Sequence, residues 1–247
     1  MPTYQFPRPA LTVDAVIFGV DLGFRDLQSK DALRVLLIKR KNPPFKDRLA
    51  LPGSFVTTTE SVDAAVRRAL KKETGIEPSH LEQLYTFGAP KRDPRERVVT
   101  VAYFGLVRSS YFPAEKNLPA LFLVPKAGDD AKEALWVSVD DIKENLAFDH
   151  DQILELALTR LRSKIRYVPI GFDLLPEEFS IVQLHQLYEI ILGRPIEKPN
   201  FYKRIKSYNL LKPVGAVTKK RGRPATLYTF DRDRYEDLTV NGINFEV

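Results

Sequence analysis

Between Gly53 and Ile76 the chain gathers more groups able to do chemistry than anywhere else. The stretch reads Leu51-Pro52-Gly53-Ser54-Phe55-Val56-Thr57-Thr58-Thr59-Glu60-Ser61 and runs on to Arg68-Ala69-Leu70-Lys71-Lys72-Glu73-Thr74-Gly75-Ile76. Its apolar spacing predicts a helix with Val62, Ala65, Val66, Ala69 and Leu70 on the buried face. Positions 69, 72 and 73 stand i, i+3 and i+4, so their side chains converge on one face. Three acids there would hold a divalent cation, and a cation so held activates water or polarises a phosphoryl oxygen. Only Glu73 is acidic. Ala69 offers no ligand, and Lys72 brings an ammonium to the same face.

The stretch resembles a Nudix box, a loop, helix and loop in which helix glutamates hold the cations that activate water against a diphosphate. Ser54 stands where the box has its first glycine. Glu60, Arg68, Glu73, Gly75 and Ile76 match, and Ala69 and Lys72 replace two of the three helix glutamates. The resemblance implies an α/β/α sandwich with a diphosphate pocket. The replacements imply binding without metal-assisted hydrolysis, so no catalytic residue, no metal ligand and no required cofactor is expected, and Lys72 takes over part of the cation's charge. The expected ligand-binding residues are Arg40, Gly53, Ser54, Phe55, Lys72, Glu73, Arg92, Arg95 and Phe104. Arg92 and Arg95 suit phosphate contacts, with solvated loop arginines as the alternative. Phe55 or Phe104 would stack on an adenine ring, with ordinary core packing as the alternative. His150 beside Asp149 invites a catalytic reading, but a capped helix start explains the pair without chemistry.

The elements that must position these groups follow from pattern and composition. The 247 residues suffice for one large or two ordinary domains. With no cysteine, disulfides and thiolate metal sites are excluded, and an intracellular, cytoplasmic protein is expected. Residues 1–14 hold no continuous apolar segment, and no stretch approaches bilayer-spanning length. His80, His150 and His185 show no metal-ligand spacing. The charge is uneven: residues 194–247 hold 12 Lys and Arg against 6 acids, which equals the +6 of the whole chain. Within them Lys198, Lys203, Arg204, Lys206, Lys212, Lys219, Lys220, Arg221 and Arg223 form a run with no acid between them. Such a run is a solvated face unless an ordered scaffold presents it to nucleic acid.

Apolar, β-branched runs at 13–20, 33–39, 98–107 and 134–139 predict strands. Asp149, with Gln152 three residues on, reads as the N-cap of an amphipathic helix through Ile153, Leu154, Leu156, Ala157, Leu158 and Leu161. The Pro- and Gly-containing stretch 167–178 is the joint, giving domains 1–165 and 166–247. Residues 180–192 follow the helical period and stop at Gly193-Arg194-Pro195. A shorter helix over 200–208 places Lys203, Arg204, Lys206 and Ser207 around a stripe of Phe201, Ile205 and Leu210. Strand-like runs at 214–218 and 226–230 then flank Lys219-Lys220-Arg221-Gly222-Arg223-Pro224. Helix, turn, basic helix and basic hairpin is the order of a winged helix-turn-helix. Its arginine tip suits a narrow minor groove. The expected DNA-binding residues are Lys198, Asn200, Lys203, Arg204, Lys206, Lys219, Lys220, Arg221 and Arg223.

A Nudix-like domain followed by Leu174-Leu175-Pro176-Glu177-Glu178-Phe179-Ser180, Leu187-Tyr188-Glu189 and Arg221-Gly222-Arg223-Pro224 is similar, over nearly the whole chain, to the Nudix-related regulators of NAD metabolism, the NrtR family. Arg92-Asp93-Pro94-Arg95 and Ala147-Phe148-Asp149-His150 are further family-like segments, bordering the ligand cleft. The resemblance implies a homodimeric repressor of NAD synthesis and salvage genes that binds double-stranded operator DNA and is released by ADP-ribose or a related nucleotide. Two alternatives stand beside it. One is an active ADP-ribose hydrolase working with Glu60 and Glu73, its basic domain serving only localisation. The other is a sugar-responsive regulator of the same architecture.

Overall fold

Strand β1 (Ala10–Val20) is apolar almost throughout and buried from Thr12 onward, as expected of a strand covered on both faces. The computed structural model describes residues 6–20, 32–108, 131–142, 146–217, 225–240, 242 and 245–246. They fall into two compact units, one closing at Leu158 and the other taking in Thr159–Val247.

In the first unit β1 is flanked by β2 (Leu33–Arg40), which carries β3 (Leu49–Ala50) at its outer side. The short β4 (Gly53–Phe55) pairs antiparallel with the start of β1, setting Gly53 opposite Asp14. Helix α1 (Val62–Thr74) follows. Ser61 caps its N-terminus by accepting Ala64 N–H, and Gly75 ends it at φ 69°, a left-handed conformation that glycine adopts without strain. Its face of Ala65, Val66 and Leu70 packs on Val13, Ala15 and Ile17 of β1 and Leu36 of β2, the face the sequence predicts. Edge strand β5 (His80–Phe87) pairs antiparallel with β6 (Val98–Leu106), and β6 pairs parallel with β1. Strand β7 (Ala131–Ser138) pairs with β2, completing the sheet. The four predicted strands are present with slightly different ends. Strands β3 and β4 are too short for a period to show, and β5 is half-exposed with its alternation broken at Glu82-Gln83.

Helix α2 (His150–Lys164) begins in the first unit and ends in the second. Its predicted N-cap is changed in one respect: both oxygens of the Asp149 carboxylate accept from Arg92, at 2.9 and 2.7 Å, and are drawn away from the helix amides.

In the second unit β8 (Phe179–Ser180) leads into α3 (Ile181–Leu192), opened by a capping box in which Ser180 and Gln183 each satisfy the other's backbone N–H. Gly193 at φ 64° stops α3 as expected. Helix α4 (Lys198–Ser207) buries Phe201 and Ile205, joining α3. Strands β9 (Leu211–Val217) and β10 (Ala225–Phe230) pair antiparallel, and β8 completes a three-stranded sheet. Helix α5 (Arg232–Val240) is a further element without a clear apolar stripe in the sequence. In the tail, Phe245 is buried against Tyr208, ring centroids 4.9 Å apart.

Candidate functional site

The close approach of β4 to β1 sets the floor of a cleft of about 400 Å³ in the first unit. A Cβ at Gly53 would fall 2.4 Å from Asp14 Oδ1 and 2.4 Å from the Val13 carbonyl oxygen, so only glycine fits. Gly53 N–H donates to Glu73 Oε2 at 2.9 Å, tying this loop to α1. Glu60 accepts from Arg68 Nη2 and Nε at 2.7 and 2.9 Å and from Thr57 N–H at 2.8 Å. The Arg68 hydrogen bonds hold the Glu60 carboxyl down at about 2. Arg68 Nη2 also donates to the Phe55 carbonyl. Both surviving box glutamates thus brace the loop that leads into α1.

The donor set does not suit a divalent cation. Of the three helix positions only Glu73 carries a carboxylate; Ala69 offers none, and Lys72 lines the cleft with its ammonium. Among the described residues no three His, Asp or Glu side chains are gathered as a metal set.

Eight of the nine expected ligand residues line this cleft: Arg40, Gly53, Ser54, Phe55, Lys72, Glu73, Arg92 and Arg95. Phe104 does not. It stands level with Val16 in the parallel ladder, beyond Thr12 and Asp14 where β1 borders the cleft, and it is fully buried beside His80. Which part of β1 and its neighbour β6 borders the cleft depends on where β4 pairs, at Thr12–Asp14, which the sequence period does not carry.

Arg92 is buried, and besides its two bonds to Asp149 its Nη2 donates to Asp14 Oδ2 at 3.2 Å. Burial alone would lower its pKa, but Asp149 and Asp14 raise it, so the guanidinium stays charged. The solvated reading of Arg92 is therefore overturned. Arg95 is paired bidentately with Asp93 and lies 5.4 Å from the Phe55 ring and 5.7 Å from that of Phe148. Arg40 lies over the other aromatic contact of this wall, 4.8 Å from the Phe148 centroid, while its Nε donates to the Pro44 carbonyl. Phe148 lines the cleft at φ 60°, an uncommon conformation for a bulky residue. The sequence placed its segment beside the cleft without singling out the ring; no local signal marks a left-handed phenylalanine.

His150 is buried, its Nδ1 accepting Leu51 N–H at 2.9 Å and its Nε2 lying 3.6 Å from Asp14 Oδ1. Burial pushes its pKa down, against the pull of Asp14. A neutral ring with its accepting nitrogen engaged by backbone fastens the start of α2 to the cleft wall, which accounts for the histidine without chemistry.

In the second unit, burying Phe201 and Ile205 leaves Lys198, Asn200, Lys203, Arg204 and Lys206 exposed on α4. Asn200, Lys203, Arg204 and Ser207 share an open groove of about 600 Å³ with Ile196 and Glu197. The Asn200 amide donates to the Glu197 carboxylate. The turn before α4 is held from α3: His185 Nε2 lies 2.8 Å from the Ile196 carbonyl oxygen, and Ile196 N–H donates to Glu189 Oε1 at 2.9 Å. The β9–β10 ladder closes at Val217 and Ala225. Lys219, Lys220, Arg221 and Arg223 lie outside the described residues.

Known proteins resemble the chain in two parts. Residues 22–157 match the family profile of the NUDIX domain, and residues 171–230 match that of the NrtR DNA-binding winged helix domain. The chain is 35% identical over 235 residues to the ADPR responsive transcriptional repressor NtrR of Acinetobacter baylyi, covering 94% of this chain and 86% of that one. It is 38% identical over 148 residues to the ADP-ribose pyrophosphatase of Methanocaldococcus jannaschii, covering 60% of this chain and 72% of that one. Among solved structures, Shewanella oneidensis NrtR complexed with a 27mer DNA is similar with a TM-score of 0.72 at 34% identity, covering 92% of this chain and 95% of that one. The NUDIX domain of the same protein complexed with ADP ribose is similar with a TM-score of 0.51 at 34% identity, covering 63% of this chain and 90% of that one. With both of its parts matched in order and nearly its full length aligned, this chain belongs to the NrtR family of Nudix-related transcriptional regulators.

Proposed function

We propose that the protein is a transcriptional repressor of NAD synthesis and salvage genes, released from operator DNA by ADP-ribose bound without hydrolysis in the Nudix domain. Residues 1–165 form the sensing domain and 166–247 the DNA-binding domain of a homodimer. The observation that carries this reading is the exposed cationic face of α4, anchored by Phe201 and Ile205 beneath it. Such a helix offers Lys203 and Arg204 to a major groove, and the sequence between β9 and β10 carries Arg221 and Arg223, residue types suited to a minor groove. Five cationic side chains and three carboxylates line the cleft, a balance that suits a diphosphate.

Titration of operator DNA with the full-length protein tests this. Arg204→Ala and Arg223→Ala are each expected to weaken binding, and the wild-type affinity is expected to fall steeply with salt because phosphate contacts release counterions. Addition of ADP-ribose is expected to release the DNA. Undiminished operator binding by a deletion of residues 165–247 would overturn the reading. The 38% identity to a pyrophosphatase supports hydrolysis as a second reading. Magnesium-dependent turnover of ADP-ribose in the ordinary enzyme range of about 1 to 1000 per second would establish it; negligible turnover is expected.

A further inference from the structure

The Nudix fold brings with it the expectation of a divalent cation between box and diphosphate, and this cleft is built for a different counter-charge. Glu73 already has one oxygen, Oε2, engaged by Gly53 N–H, and Glu60 would have to leave Arg68 and Thr57 to ligate a metal, a move that loosens the loop leading into α1. The other two carboxylates that line the cleft, Asp14 and Asp93, accept from Arg92 and Arg95. Position 69, where a third ligand would stand, is a buried alanine. One turn further along the same face, Lys72 is exposed to the cleft.

We propose that the Lys72 ammonium stands in for the metal, so that the cleft takes a nucleoside diphosphate ligand without any divalent cation. The inference rests on the reading of the cleft as an ADP-ribose site. An ammonium on a flexible four-carbon stem is a point charge with three donors, able to follow two linked phosphates as a cation would. Four arginines complete the positive lining. In this arrangement binding no longer depends on metal supply, and the group that would have activated water is replaced by one that cannot.

The test is calorimetric titration of ADP-ribose into the full-length protein, once with a chelator and once with magnesium. The wild type is expected to bind equally in both. Lys72→Ala is expected to bind about tenfold to a hundredfold more weakly, the range for losing a hydrogen bond to a charged group, with Lys72→Arg retaining most of the affinity. Because Lys72 is exposed, an unchanged melting temperature of Lys72→Ala is expected to accompany the loss. The double variant Ala69→Glu with Lys72→Glu is expected to invert the requirement, binding ADP-ribose in magnesium and poorly in chelator. Wild-type binding that collapses on chelation, or Lys72→Ala binding as tightly as wild type, would overturn the inference alone. A wild type that binds no ADP-ribose in either buffer would overturn the reading of the cleft as well.

Discussion

A carboxylate that accepts a backbone amide has part of its charge committed, and in this cleft Glu73 is committed to Gly53 as Glu60 is to Arg68. His150 shows the same economy with a base. Its ring is buried with Nδ1 on Leu51 N–H, and burial holds its pKa below the usual 6.5. The unfolded chain takes up a proton near 6.5, the folded chain only at lower pH, so as pH falls through this window the unfolded state binds more protons and stability drops. The thermal midpoint is therefore expected to decline as pH is lowered from about 7 to about 5. His150→Asn, whose amide oxygen can accept the same N–H without titrating, is expected to flatten that slope; an unchanged slope would place the titration elsewhere. Residue types were the legible part of this site. That Lys72 and Arg92 are cations of one cleft could be read from the sequence, but not that Arg92 would be held by partners 57 and 78 residues away. Ion pairing of that kind is decided by the fold, and so is the burial of Phe104.

Two segments with the same local pattern, Asp149-x-x-Gln152 and Ser180-x-x-Gln183, came to different ends. Ser180 and Gln183 close a reciprocal capping box on α3, whereas Asp149 spends its carboxylate on a buried arginine. The pattern is local and cheap to satisfy; a buried guanidinium is a stronger demand, because an unpaired charge in the interior costs far more than an uncapped amide. Element types were legible where a period ran for two turns or five residues, as in α1, α3, β1 and β6. They were not legible for β3, β4 and β8, which exist only because a neighbouring strand offers hydrogen bonds. Ser180→Ala is expected to cost about 1 kcal/mol, seen as a lower urea midpoint with an unchanged slope. Since the cap lies on α3 and not on the basic face of α4, operator affinity of the folded variant is expected to stay close to wild type. No loss of stability would mean that backbone or solvent satisfies the freed amide.

At the scale of the whole molecule, the proposed function requires sensing and DNA binding to share a free energy. If ADP-ribose weakens operator binding as proposed, the operator is expected to weaken ADP-ribose binding by the same factor, about 5- to 150-fold for a coupling of about 1 to 3 kcal/mol. Helix α2 is a single hydrogen-bonded stretch, about 22 Å long at 1.5 Å per residue. Its first residues answer to the cleft through Asp149 and His150, and in its last turn Arg162 Nε donates to the Ile191 carbonyl at the end of α3. No glycine or proline interrupts it. Its stiffness is the property on which the proposed coupling is expected to depend. Replacing Leu158 and Thr159 together by glycine leaves the length and both sets of terminal contacts in place while softening the middle by about 1 kcal/mol per residue. The expected result is a variant that binds operator and ADP-ribose separately much as the wild type does, yet shows nearly equal ADP-ribose affinity with and without DNA. A helix that bends at its centre absorbs a rotation instead of passing it on.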